Sequence, residues 1–381
     1  MRSPLSSLAL LCLVAVGAAC TKNDSATASG AIKVRSTDDA CEVSPAEAPS
    51  GNVVFEVTND GTKVTEFYVL AEDGVRILGE VENIGPGISR NLVLQAAPGK
   101  YFTACKPGME GDGIRSAFTV TDSGTPVTTG DVAGLLATAT DQYGDFVRAE
   151  VSELIEKTEQ FADLYTAGKD DEARALYPDA RTHWERIEPV AESFGDIDPK
   201  LDLREADLEV GQTWTGWHAI EKDLWPPTNG YTALTTDQRT ALADQLVADT
   251  KDLSTRVQDL SYDPAKMGNG AKELLDEVAT GKVTGEEEIW SHTDLWDLQA
   301  NVDGARIAFE SLKPALETKN AELATTLSAR FESLEDLLGE HRKGDGFVLY
   351  TELTADQIKT LADAVNALSE PLAELTAAVV L

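Results

Sequence analysis

Three residue pairs in the second half of the chain repeat one spacing: Glu185/Glu188, His218/Glu221 and Asp294/Asp297. Residues three apart on a helix share a face, roughly 5–6 Å apart at Cβ. Each pair stands beside a tryptophan (Trp184, Trp217 and Trp296), so each face is expected to turn inward. Facing helices that each offer two inward carboxylate or imidazole donors build metal sites inside helical bundles. Mostly carboxylate donors with one imidazole suit Fe2+, Fe3+, Mn2+, Zn2+ or Ca2+. His218 is flanked by Trp214, Trp217, Ile220, Leu224 and Trp225, and polar groups in such apolar surroundings need partners. The competing readings are a plain hydrogen bond between His218 and Glu221, and salt bridges from Glu185 and Glu188 to Arg181 and Arg186. His183 and His292 are expected in supporting or surface contacts, and His341, beside Arg342 and Lys343, at the surface.

The elements that position these residues read as helices. Phe146 to Leu164, Gln238 to Leu260, Leu316 to Leu338 and Ala355 to Leu368 carry apolar residues three and four apart. Stops are expected at Gly195, Pro226-Pro227, Gly268-Asn269-Gly270, Pro314 and Gly344-Asp345-Gly346. The span 136–381 is too long for one four-helix bundle, so two stacked bundles or one larger bundle is expected.

Before it, 31–121 reads as β structure. Short runs such as Val53 to Val57, Glu66 to Leu70, Arg90 to Leu94 and Tyr101 to Cys105 alternate with turn signals at Asn59-Asp60-Gly61, Gly85-Pro86-Gly87 and Pro98-Gly99. Regular turns over this length suit a small all-β sandwich, and the Thr-, Gly- and Pro-rich span 122–135 reads as a linker.

Residues 1–19 carry the charged start, short apolar run and small residues of a secretory signal. The Val-Gly-Ala-Ala-Cys ending places Cys20 as a lipid-bearing first residue, followed by a polar tether over 20–30. Only Cys41 and Cys105 then remain, which in an exported protein suggests a disulfide; a pair of thiolate ligands is the rival reading. The net charge of −34, from 66 acidic and 32 basic residues, excludes nucleic acid as a partner.

Longer motifs carry a family resemblance. Arg181 to Pro189, Phe194 to Asp198, Trp214 to Lys222, Ser291 to Asp297 with Asn301 to Asp303, and Gly344 to Tyr350 together resemble the EfeO family. The resemblance implies a cupredoxin-like domain followed by an imelysin-like one. It also implies an extracytoplasmic iron-binding component that passes iron to a membrane permease, with a haem peroxidase as a further partner. The family's His-x-x-Glu matches His218 and Glu221; Glu185, Glu188 and Asp202 match acidic positions near it, and all are carried over as metal ligands. Asp202 also reads as a helix cap, and Asp294 and Asp297 rest on chemistry and spacing.

All four histidines follow residue 180, so a type 1 copper site, with its two histidines, is excluded from the first domain. A weaker site of Glu66 with Asp39 or Cys105 remains open there. Two other functions compete. A zinc metallopeptidase would need a second histidine close to the first, and a polysaccharide binder would need exposed tryptophans.

Overall fold

The computed structural model describes residues 30–124, 131–208 and 210–381. Cys20, the signal segment and nearly all of the tether lie outside these residues. Among the described residues no helix is long and apolar enough to cross a membrane.

The first domain is a cupredoxin-like sandwich. Its strands are β1 (Ile32–Ser36), β2 (Cys41–Ser44), β3 (Glu47–Pro49), β4 (Gly51–Asn59), β5 (Thr65–Leu70), β6 (Ile77–Ile84), β7 (Ser89–Ala96), β8 (Gly99–Cys105) and β9 (Ile114–Thr121). One sheet has the order β2-β1-β4-β7 and the other β3-β9-β8-β5-β6. Most neighbours are antiparallel; β1 with β4 and β3 with β9 are parallel. Strand alternation sends Val53, Phe55 and Val57 of β4 inward, where Phe55 meets Phe67 and Phe118 at ring distances of 5.3 and 5.2 Å. A disulfide joins Cys41 to Cys105 and so ties the two sheets together. It leaves no free thiol in the described residues and removes Cys105 as a partner for Glu66. Glu66 instead accepts from the Tyr68 hydroxyl at 2.5 Å and lies 3.7 Å from Lys106, while Asp39 is exposed.

The second domain is helical: α1 (Asp131–Thr166), α2 (Asp170–Glu185), α3 (Asp198–Leu201), α4 (Trp217–Leu224), α5 (Thr236–Asp259), α6 (Pro264–Thr280), α7 (Asp294–Lys319), α8 (Ala321–Gly339), α9 (Ala355–Leu372) and α10 (Leu375–Val380), with a two-residue hairpin of β10 (Arg342–Lys343) and β11 (Gly346–Phe347). The caps of α5 and α9 are legible, since Thr235 with Gln238 and Thr354 with Gln357 form reciprocal capping boxes. α1 packs on α2, α5 and α7; α6, α8, α9 and α10 gather on the other side of α7 or beside it. Because α7 serves both groups, one continuous core runs through the domain.

Three sequence expectations are corrected. Gly268 and Gly270 do not end a helix; both lie inside α6. A Cβ on Gly270 would sit 1.7 Å from the Pro189 carbonyl oxygen, and one on Gly268 would sit 2.4 Å from Thr376 Oγ1. These glycines are notches where other backbone comes close. Pro314 likewise lies within α7, and the break comes instead at Asn320, whose side chain caps α8 and divides the expected Leu316–Leu338 helix. His341 is buried, at 5% exposure, because the backbone turns it under the hairpin while Arg342 and Lys343 point outward.

Candidate metal centre

Five segments converge on one buried cluster: the end of α2, the residue after α3, α4, the loop 281–293 and the first turns of α7. Gly216, at φ +87°, begins α4, where a Cβ would lie 2.2 Å from the Leu201 carbonyl oxygen. Only glycine lets α4 start this close to α3. That contact brings His218 beside Asp202, with Nε2 3.3 Å from Asp202 Oδ1 and 3.6 Å from Glu287 Oε1. The first is misaligned and the second too long for a hydrogen bond, so Nε2 is buried with no hydrogen-bond partner, within ion-pair range of both carboxylates. On the other ring edge Nδ1 lies 3.2 Å from Glu221 Oε2 and 4.0 Å from Glu288 Oε1. Two triplets, Asp202–His218–Glu287 and His218–Glu221–Glu288, therefore hold donor atoms close enough for one cation, with His218 in both.

The carboxylates are oriented by their other contacts. Glu221 Oε1 accepts the backbone N–H groups of Trp290 and Ser291 at 2.9 and 2.7 Å. Glu288 accepts from Tyr177 and Ser291, and Asp202 from the Trp184 indole at 2.8 Å. Asp202 thus faces the cluster and does not cap the turn that follows, whose cap position is Arg204.

Two buried cations share the space. Arg181 is fully enclosed and ion-paired with Glu185, Asp202, Glu287, Glu288 and Asp297. Lys282 binds Glu188 at 2.6 Å and Glu185 at 3.1 Å. The i, i+3 reading of Glu185 and Glu188 fails in detail, because α2 ends at Glu185 and Glu188 opens a 3-10 turn over Glu188–Phe194. Both still meet, through Lys282 and through Asn301 Nδ2 at 2.9 and 2.7 Å. The salt-bridge alternative holds for Glu185 with Arg181, while Arg186 turns away to Glu150 and Asp303. In the first turn of α7, Asp294 accepts the Glu288 N–H and Asp297 faces Arg181 at 3.4 Å. Asp294 Oδ2, Asp297 Oδ2 and Asn301 Oδ1 remain buried without partners. The buried imidazole nitrogen of His218 with the carboxylates of its two triplets is a donor set that fits a cation, and Glu185, Glu188, Asp294 and Asp297 stand outside both triplets.

Electrostatics divide the acids. Burial pushes Asp202 up, but Arg181 and His218 outweigh it and hold this carboxyl well below the usual range. Burial likewise opposes Lys282 and His218 at Glu287, which is held at about 2. Burial and the Arg181 charge push His218 down, yet Asp202, Glu221 and Glu287 outweigh them and keep it well above the ordinary histidine value. Burial pushes Glu188, Glu288 and Asp297 well up and Asp294 to about 6. Without a cation, several of these groups hold protons that an arriving ion must displace.

Glu287 and Glu288 escaped the sequence reading because they lie in a loop with no helical spacing. The available signal was the run Glu286-Glu287-Glu288 just ahead of Ser291-His-Thr-Asp. His183 pairs with Glu150 at 2.7 Å, outside the cluster. Trp184 and Trp217 are fully buried, and Lys222 lies over the rings of Trp214 and Trp290.

Sequence comparisons match this architecture. The Imelysin family model covers residues 139–375, and the Cupredoxin-like domain model residues 10–120. Over 347 residues, 90% of both chains, the sequence is 36% identical to the iron uptake system component EfeO of Escherichia coli O157:H7. It is 35% identical over the same length to the components of that name in Escherichia coli K12 and Shigella flexneri.

Proposed function

Because this chain belongs to the EfeO family of iron uptake system components, we propose that it is an extracytoplasmic iron-binding protein that captures iron and passes it to a membrane permease. In this reading His218, Asp202, Glu221, Glu287 and Glu288 hold the ion, Fe2+ or Fe3+. Glu185, Glu188, Asp294 and Asp297 complete or support the shell, with Zn2+, Mn2+ or Ca2+ as surrogates. The observation that carries it is His218 Nε2, buried with no hydrogen-bond partner and faced by two carboxylates. A haem peroxidase of the same system and the membrane, through lipid on Cys20, complete the proposed partners.

The role is transport and not catalysis. Hydrolysis on zinc needs a water beside a free general base. Here Glu221 has one oxygen tied by two backbone N–H groups and the other turned to His218. Among the described residues the candidate triplets contain one histidine.

The test is metal analysis of protein purified without chelator, beside a His218→Ala/Glu221→Ala variant. Iron in the wild type and its loss from a folded variant are expected; equal metal in both would overturn the assignment. A casein assay with added zinc tests the peptidase alternative.

A further inference from the structure

The two sides of the His218 ring differ in access. A cleft of about 190 Å³ borders the centre, and Asp202 and Glu287, the carboxylates that face Nε2, line it together with Asp198, Glu277 and Asp207. Glu221 and Glu288, on the Nδ1 side, are fully enclosed and do not border it. Nε2, buried with no hydrogen-bond partner, lies behind the two carboxylates that do. The cleft has room for several waters, so an ion can arrive hydrated. Acidic walls in low-dielectric surroundings draw cations inward.

One basic side chain, Arg204, stands in this lining. It meets Glu287, whose two oxygens face different cations. Oε1 lies 3.6 Å from Arg181, 3.6 Å from His218 and 3.7 Å from Lys282, all three buried. Oε2 lies 3.5 Å from Arg204 Nη1, on a side chain that stays 26% exposed. The Arg204 guanidinium also spans two outer acids, Glu286 at 3.1 Å and Asp207 at 2.8 Å. Beneath it the backbone is pinned, since the Trp214 indole donates to the Leu203 carbonyl at 2.6 Å. Arg204 therefore has a fixed base, a long side chain and two resting places besides Glu287. We propose that ions reach the His218 centre through this cleft and that Arg204 is its latch. On Glu287 it withholds the outer carboxylate oxygen; resting on Asp207 and Glu286 alone, it frees that oxygen for a divalent cation. The latch rests on the reading of the buried cluster as the metal centre.

Filling is followed by tryptophan fluorescence in stopped flow, because the Trp184 indole donates to Asp202 at 2.8 Å. The full chain is mixed with Zn2+, and with Fe2+ in the absence of oxygen. Arg204→Gln should fill about tenfold faster than the wild type, release at the same rate and so bind about tenfold more tightly. That is the gain expected if about a tenth of wild-type molecules stand open at any moment. Arg204→Lys keeps the charge but loses the planar fork that spans three acids, and it should also fill faster. If only Arg204→Gln gains speed, charge alone sets the rate and the latch is wrong. If both variants fill at the wild-type rate, or bind more weakly through faster release, Arg204 only braces Glu287 and the proposal is equally overturned. The His218→Ala/Glu221→Ala variant is measured beside them. Loss of the fluorescence change in that variant leaves the buried centre standing whatever Arg204 does. A change that survives there would overturn the centre, and the latch with it.

Discussion

At His218 the metal-free state and the metal-bound state compete for the same nitrogens. Asp202, Glu221 and Glu287 keep the ring charged in the absence of a cation, but ligation requires a neutral ring. The folded-state pKa is raised, so the proton is held below that value and lost as pH rises through it. Cation affinity should therefore climb with pH through neutrality, and not only above the pH 5–6 suggested by ordinary histidine and carboxylate values. Calorimetry in two buffers of different ionisation enthalpy should report protons released on binding at pH 7; identical heats would count against ligation by His218. Replacing His218 or Glu221 should cost roughly tenfold or more in affinity. Arg181 is a different case, a fixed cation set among five carboxylates. Removing one partner of a buried ion group costs about 3–5 kcal/mol, so Arg181→Ala should lower the melting temperature of the metal-free protein sharply. Added Zn2+ should restore more stability to this variant than to the wild type. An equal gain in both would mean that no ion takes up the freed charge.

At the scale of elements, close backbone contacts do what the side chains alone cannot. Gly270 lets the turn Glu188–Phe194 lie directly on α6, and that turn carries both Glu188 and Glu192. Gly270→Ala should force the two apart, with a cost of about 1–3 kcal/mol or more from overpacking. Thermal unfolding is the measurement, and an unchanged melting temperature would show that the turn is free to move. The same contacts explain what was legible in the chain. His218/Glu221 and the first turn of α7 could be read from spacing, because each pair lies within one helix. Gly268 and Gly270 lie inside α6 although they read as a stop, because a glycine that admits a neighbour looks, in one dimension, like a glycine that ends a helix. Strand β6 was missed for a related reason. Its Gly79, Glu80 and Glu82 weaken the alternating apolar signal, and the face of Glu80 and Glu82 is covered only when the helical domain arrives. Glu287 and Glu288 sit on a loop, where no period exists to be read.

Over the whole molecule, two hydrophobic cores are stabilised by different means. The sandwich has a small core and one covalent tie, Cys41–Cys105, across a sequence separation of 64. In the chain-entropy account such a loop contributes roughly 4 kcal/mol by restricting the unfolded chain. The helical domain has no such link among the described residues and depends on its continuous core around α7. The domains touch through β6 and β7 on α6, where Asn269 donates to the Val93 carbonyl at 2.8 Å. None of the buried centre's donors comes from the sandwich. Reduction should thus lower the unfolding temperature of the sandwich and leave that of the helical domain nearly unchanged. In a calorimetric scan one transition would separate into two, the lower one sensitive to reductant. The His218 centre should keep its affinity for Zn2+ across the lower transition, because its ligands stay in folded helices. Loss of Zn2+ binding together with the sandwich would mean that the seam, and not the helical core alone, holds the centre in shape.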